Sequence, residues 1–379
     1  MHKITLLFIL VLFFAKSKAQ ELIIPYEVLD GIPVVKVSVN NKDYQFAFDT
    51  GAFKTVINSN VFPNLPISGK IDNVGGIGSV RKSMDQVNFS FSLLNKPFTN
   101  KEVIYSDLSI LTKASCDNLV LSGIIGRDVM ENYIIEINPE IKKIILHNSA
   151  SFNEDKIQDF TKIRLRKSSD PRVAVKIGKQ DRYVLFDTGS YDKLSISDYK
   201  LNKYIETVQH TEYKSRGSRY GIHGINNDED INHLIYNAEV QLGKLNLKNQ
   251  TVETSKNDFN NMGFTFISQF ITYLDLKGKN LYLKQISKNY FGESSLKNLG
   301  FYIRYDAEQK KNIIVTLSTK NDKLKLGDNL ISINGKTPPA NNCNMYSFLK
   351  QFFSIPIKIK LERENKIIEI EQTVQDKNF

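Results

Sequence analysis

The 379-residue sequence predicts a predominantly all-β chain, two homologous β-barrel lobes followed by a smaller α+β domain. Three observations predict it. Shifted by 138 positions, PVVKVSVNNKDYQFAFDTGA (33–52) lies on PRVAVKIGKQDRYVLFDTGS (171–190) without a gap. Shifted by 137, GIIGRDVMENYIIEINPEIKKIIL (123–146) pairs with NNMGFTFISQFITYLDLKGKNLYL (260–283). From residue 290 onward the repeat stops and a new strand and helix pattern begins. A duplicated unit decides the fold ahead of local propensity, because each copy must close its own core.

The first element is an address. In MHKITLLFILVLFFAKSKAQ, Lys3 precedes an apolar run from Ile4 to Ala15, and Ser17 and Ala19 stand two positions apart. This pattern reads as a secretory signal over 1–19, cut after Ala19. The run is short for a membrane-spanning helix, which needs about 20 apolar residues. No cysteine follows the cut, so the chain lacks a bacterial lipid attachment point there. The expectation is an exported protein, periplasmic or extracellular, whose charge falls from +10 to +7 on losing Lys3, Lys16 and Lys18.

The lobes come next, at 22–148 and 163–285, joined by a polar linker over 149–162. In each lobe an alternating strand (Val35, Val37, Val39; Val173, Val175, Ile177) reaches a polar turn, and a second strand runs to Asp-Thr-Gly. Period-2 apolar residues flanking a polar turn specify a hairpin, so Asp49 and Asp187 each sit at a strand end. In the second match, apolar residues precede Gly126 and Gly263, and a short helix and two strands follow. Asp128 with Glu131 three later reads as a capping box, and Thr265 as a cap of its own helix. A lone D-T-G arises by chance in about one chain in fifteen of this length. Two copies, each after an aligned hairpin, are far more specific.

Composition bounds the rest. The chain is 41% hydrophobic with 23 Phe and 17 Tyr, enough to fill real cores. Its 51 Lys and Arg against 41 Asp and Glu are spread without a basic block, which reads as solvated surface and excludes nucleic acid as a partner. Cys116 and Cys343 offer neither a zinc cluster nor a disulfide framework and read as small buried apolar residues. No phosphate-loop motif, metal-ligand cluster or cofactor signature is found, so neither a metal nor a cofactor is expected.

At the two motifs the sequence resembles the pepsin and retropepsin class of aspartic peptidases. Phe48-Asp49-Thr50-Gly51-Ala52 is similar to the retroviral form, and Phe186-Asp187-Thr188-Gly189-Ser190 to the form in pepsin-like lobes. Gly75-Gly76-Ile77-Gly78 is similar to the glycine-rich flap tip of retropepsins and, lying between Asp49 and Gly126, reads as a flap, an ordinary hairpin tip being the alternative. Ile124-Ile125-Gly126-Arg127-Asp128 resembles the segment that opens their helix. In retropepsins that arginine pairs with an acid four residues after the catalytic one, a place Phe53 holds here. The second lobe has Asn261-Met262-Gly263-Phe264-Thr265, without an arginine, and a less glycine-rich candidate flap, Tyr220-Gly221-Ile222-His223-Gly224. His223 reads as a hairpin histidine.

The resemblance, which covers residues 22–285, implies acid-protease (retropepsin-like) lobes and a peptide or protein substrate. Hydrolysis without a metal needs one group to take a proton from water and another to protonate the carbonyl oxygen, and two adjacent carboxyl groups do both. It makes Asp49 and Asp187 catalytic. It also implies that Thr50 and Thr188 bond across the two loops. Gly51 and Gly189 let backbone pass close to the carboxylates. Ser190 can reach an outer carboxylate oxygen and Ala52 cannot. Both halves lie in one chain, so no obligate dimer is expected.

The last element, 290–379, resembles a PDZ domain. Leu299-Gly300-Phe301 looks like its carboxylate-binding loop, and Leu326-Gly327-Asp328 through Asn334-Gly335 like its central strand and turn. NMYSFLKQFF carries Met345, Phe348, Leu349 and Phe352 at helical spacing. KIIEIEQTV is expected to supply the strand missing before Leu299. Such domains capture a peptide's C-terminus as an added strand; a structural docking module is the alternative, and both motif aspartates lie outside the segment. The whole reads as an exported aspartic endopeptidase. The rival is a catalytically silent peptide-binding protein with a degenerate protease fold and a PDZ groove.

Overall fold

A computed structural model describes residues 21–76, 80–114, 120–197, 201–256, 260–286 and 295–373. The signal segment 1–19, Ile77 and Gly78 of the candidate flap, and Cys116 lie outside them. The described chain is predominantly β.

In the first lobe, strands run in the spatial order Leu22–Leu29, Ile32–Val39, Lys42–Phe48, Gly123–Ile125, Val56–Asn58, Lys96–Ser106, Arg81–Leu93, Ile67–Gly75, and the pairing Ser38↔Ser92 closes the sheet on itself. In the second, Arg172–Ile177, Gln180–Asp187, Asn261–Gly263, Leu194–Ser197, Leu245–Ser255, Asp230–Leu242 and His210–Ser215 repeat that order, closed by Ile177↔Val240. The alternation read in the sequence is the cause. Leu22, Ile24 and Tyr26 turn inward while their neighbours face solvent, as do Val173, Val175 and Ile177. Asn40 and Asn41 adopt φ of 50° and 64°, the left-handed pair that a two-residue turn between Val39 and Lys42 requires.

In both lobes the short strand after the long hairpin lies parallel to the strand leading into the motif, Phe48 opposite Ile125 and Asp187 opposite Gly263. The motif loops thus leave the sheet at equivalent places. Neither short helix is capped as the sequence suggests. Gly126 precedes the helix Arg127–Met130 and Gly263 precedes Phe264–Ile267, neither with a side-chain cap. Asp128 instead accepts from Thr55 N–H and Oγ1 at 2.9 and 2.8 Å, and Thr265 Oγ1 donates to Tyr191 O at 2.6 Å. Both side chains tie the helix to the motif loop, a tertiary use that local spacing does not reveal.

The lobes share a six-stranded sheet in the order Thr161–Arg164, Asn280–Gln285, Phe270–Asp275, Tyr133–Asn138, Lys143–Asn148, Leu22–Leu29. One continuous core runs through both lobes, with Phe46, Phe48 and Phe186 fully buried beneath the motifs. Beside the shared sheet His147, 1% exposed, bridges Glu136 Oε2 at 2.8 Å and Glu21 Oε1 at 2.9 Å. Burial pushes the Glu136 carboxyl up, but hydrogen bonds from His147 and Tyr273 outweigh it and hold the group below the usual range. A group so lowered stabilises the fold above its unfolded value and loses that contribution as pH falls through its folded one. His147→Ala, which removes one partner of a buried acid while Tyr273 remains, should cost about 2 kcal/mol at neutral pH. Urea denaturation should show that loss shrinking in acid, and a pH-independent loss would contradict an origin in the Glu136 carboxylate.

The C-terminal residues form a separate core around Leu299, Phe301, Ile303, Leu330, Leu349 and Ile359. Helix Met345–Lys350 buries Met345, Phe348 and Leu349, and Asn334-Gly335, with φ of 49° and 77°, makes the turn. Asp328 is 2% exposed and takes a bidentate grip from Arg363 at 2.6 and 2.7 Å. Strand Lys366–Gln372, within KIIEIEQTV, forms and pairs with the adjacent Ile357–Arg363. Gly300, with φ of 74°, is the left-handed end of helix Ser295–Leu299, and its N–H donates to Leu296 O at 2.9 Å. A carboxylate at Leu299-Gly300-Phe301 would therefore compete with a helix cap for that donor. Cys343 is exposed and disulfide-bonded, so it is not a buried apolar residue.

This domain is also not apart from the lobes. Its strand Lys311–Ser318 pairs with His210–Ser215 of the second lobe, Tyr213 opposite Ser318 and Ser215 opposite Thr316.

Candidate active site

The two motif loops meet face to face between the lobes. Asp49 Oδ1 accepts N–H bonds from Gly51 at 2.7 Å and Ala52 at 2.9 Å, and Asp187 Oδ1 accepts one from Gly189 at 2.9 Å. The two carboxyl groups hydrogen-bond to each other. A Cβ on Gly51 would lie 2.6 Å from Asp187 Cγ, and one on Gly189 2.2 Å from Asp49 Cγ, so each glycine is required by the carboxyl group of the other lobe.

Beneath them Thr50 and Thr188, both 0% exposed, form a reciprocal frame. Thr50 N–H donates to Thr188 Oγ1 at 3.0 Å and Thr188 N–H to Thr50 Oγ1 at 3.1 Å. Each hydroxyl then donates across the interface, Thr50 to Phe186 O at 2.8 Å and Thr188 to Phe48 O at 2.6 Å. The N–H and the hydroxyl of both threonines are engaged across the interface, which fixes the separation of the neighbouring aspartates.

Burial pushes the Asp187 carboxyl well above the ordinary carboxylate range, and the adjacent Asp49 charge pushes it further. Burial raises Asp49 as well, opposed by the Ala52 N–H, the bond with Asp187 and the Gly51 N–H. The difference sets the pair's polarity. Asp49, with two backbone donors, is the better seat for negative charge, and Asp187 the better seat for the proton.

Arg127 has a partner that the motif pattern does not supply. Its buried guanidinium donates to Asp170 Oδ1 at 2.9 Å and to the carbonyls of Thr50 and Gly51 at 3.3 and 3.4 Å. It holds the first motif loop against the second lobe. Asp170 precedes the aligned repeat, opposite Ile32 in the first copy, so the repeat itself hides it. Ser190 also departs from expectation. It bonds Asp192 rather than an outer oxygen of Asp187. Burial, then the charge of Glu253, raises Asp192 to about 6, while Arg219 opposes the shift. Arg219 and Tyr213 Oη both reach Glu253 Oε1, at 2.7 and 2.5 Å, completing a cluster beside the second motif that the sequence did not single out.

Two hairpins roof the aspartates. In the first, Ile67–Gly75 and Arg81–Leu93, Val74 packs in an apolar cluster with Ala52 of the first motif, and Gly75 and Gly76 stand at the described edge of the tip. The second, Arg219–Gly221 and Gly224–Asn226, places Ile222 in that same cluster. His223 Nε2 lies 2.7 Å from Val74 O, and since a carbonyl only accepts, Nε2 carries the hydrogen. Lys82 Nζ donates to His223 O at 3.3 Å. His223 is thus a half-buried contact between the two hairpins. Among the described residues no group of three or more His, Cys, Asp or Glu is arranged to hold a metal ion.

Residues 30–138 match the family model described as retroviral aspartyl protease. The matched span is one lobe: it contains Asp49, the first roof hairpin and Arg127, and it stops before the second motif. Among solved structures the chain is similar to the aspartic proteinase from Irpex lacteus, at 12% identity and a TM-score of 0.44, over 72% of this chain and 99% of that one. No curated protein matches the sequence.

Proposed function

We propose that the protein is an aspartic endopeptidase in which Asp49 and Asp187 share one proton. The observation that carries the reading is the pair of buried, mutually hydrogen-bonded carboxyl groups held by the Thr50–Thr188 frame. The retroviral aspartyl protease match over 30–138 supports it independently. Ionised Asp49 takes a proton from a water molecule as that water attacks the peptide carbonyl. Protonated Asp187 gives its proton to the carbonyl oxygen. Collapse of the tetrahedral species breaks the C–N bond, the amine leaving with a proton from Asp49 and the carbonyl oxygen returning one to Asp187. Contact between the carboxyl groups favours this hydrolase over a silent peptide binder, which has no use for a shared proton.

Export belongs to the same reading. The first nineteen residues carry a signal pattern, and an exposed disulfide-bonded Cys343 suits an oxidising compartment. Capture of a peptide C-terminus by Leu299-Gly300-Phe301 would leave the Gly300 N–H aside, since it serves the helix end.

The test is digestion of a peptide library by purified residues 20–379, followed by a pH–rate profile on one cleaved peptide. Cleavage should be bell-shaped in pH. Because burial raises both carboxyl groups, the alkaline limb should fall above about 4, the pKa of an isolated aspartate. No products, a flat profile, or activity abolished by a chelator would overturn the proposal.

A further inference from the structure

The C-terminal domain grips the second roof hairpin at its base. Strand His210–Ser215 leads into that hairpin and is paired along its edge with Lys311–Ser318. Immediately beyond, Arg216 N–H donates to Val315 O at 2.9 Å and Arg216 Nη2 to Leu326 O at 3.3 Å. The chain then turns at Gly217, φ 67°, whose carbonyl accepts from Arg304 Nη1. Arg304 lies on strand Phe301–Asp306 of the C-terminal domain.

The grip leads directly to the aspartates. Tyr191 follows Ser190 of the second motif, stacks on Tyr220 with ring centroids 6.2 Å apart, and donates from Oη to Ser218 O at 3.2 Å. Two residues past Tyr220, Ile222 enters the cluster beside Ala52, and His223 bonds Val74. The first-lobe helix Ser109–Ala114 packs on both Arg219–Gly221 and Phe301–Asp306, so the hairpin is enclosed between the first lobe and the C-terminal domain. Asn342 bonds both the N–H and the carbonyl of Tyr305 at 2.8 and 3.3 Å, taking the place along Phe301–Asp306 that an added strand would use.

We propose that Arg304 is a positioning residue for the hydrolysis assigned above, fixing the hinge at Gly217 so that the second hairpin is set over Asp49 and Asp187 before substrate arrives. On this account the C-terminal domain is part of the catalytic unit and not a detachable recruiter. The proposal rests on the peptidase reading. A roof already in position binds a peptide without first being ordered, so loosening its hinge weakens substrate binding more than it slows the chemistry.

The test uses the full-length chain and a short fluorogenic peptide too small to need a separate recruiting site. Arg304→Leu should raise KM about tenfold with kcat changed less than about twofold, a split that simple loss of folded protein cannot produce. Arg304→Lys, which keeps the charge and a donor, should recover part of the loss. Hydrogen exchange should quicken across 216–227 in Arg304→Leu and stay unchanged in strands Ile357–Arg363 and Lys366–Gln372. Where the leucine variant yields no folded protein, Arg216→Met decides by the same measurements. An active wild type with unaltered KM and exchange in the variants overturns the inference and leaves the peptidase reading standing. A wild type without hydrolysis overturns both.

Discussion

Asp187→Asn is expected to lower kcat/KM by about a thousandfold or more while leaving the thermal midpoint at pH 7 level or higher. The activity is lost because an amide cannot hand a proton to the carbonyl oxygen and later receive it. The stability follows from the direction of the shift. Asp187 is raised in the folded state, chiefly by burial and then by the charge of Asp49. A group so raised contributes stability that is complete below its unfolded pKa and is lost as pH rises through its folded value. The neutral asparagine does not ionise, so it removes that loss. Asp49→Asn should be as inactive. Turnover near wild type in either variant would sink the shared-proton mechanism, and a midpoint lowered by ten degrees or more would make the residue structural instead.

The second large effect is expected at Thr188. Its hydroxyl donates to Phe48 O and accepts from Thr50 N–H, both in fully buried surroundings. Thr188→Val keeps the shape and leaves a buried carbonyl and a buried N–H unpaired, at about 4 kcal/mol together. Urea denaturation should show this loss, and kcat should fall with it because the frame sets the distance between the aspartates. Thr188→Ser, which retains the hydroxyl, should recover most of both. The two hydroxyls also lie 3.5 Å apart, a contact that either substitution removes, so Thr50→Val combined with Thr188→Val should cost less than the two single losses added. Strict additivity, or a serine variant as weak as valine, would show that packing of the methyl group governs the site.

What was legible in the sequence is what repeats. The hairpins ending at Asp49 and Asp187 were readable because alternation, a polar turn and Asp-Thr-Gly recur at a fixed shift, and these are local signals. What was not legible depends on partners distant in the chain. Asp170 stands outside the repeat, so nothing local links it to Arg127. Leu299-Gly300-Phe301 reads as a binding loop by letter, and the use of Gly300 as the left-handed end of the preceding helix is a feature its letters do not show. The pairing of Lys311–Ser318 with His210–Ser215 joins two strand edges, and a strand's sequence specifies its faces better than the neighbour at its edge. Cys343 shows the same limit, since spacing alone cannot reveal a long-range bond.

The ladder that joins the lobes carries a record of symmetry. Along it Ile135 faces Leu274, Glu136 faces Tyr273 and Ile137 faces Thr272. At the 137-residue shift that aligns the repeats, Tyr273 is the counterpart of Glu136 itself, and the outer pairs exchange places. The ladder is therefore isologous, with position 136 on a pseudo-dyad, and two copies of one ancestral half could have formed it. Identical halves carrying Glu136 would set two carboxylates opposite each other on that axis. Here Tyr273 hydrogen-bonds Glu136 instead. Divergence of one residue on the pseudo-dyad thus sets a phenol hydroxyl, in place of a second carboxylate, opposite Glu136.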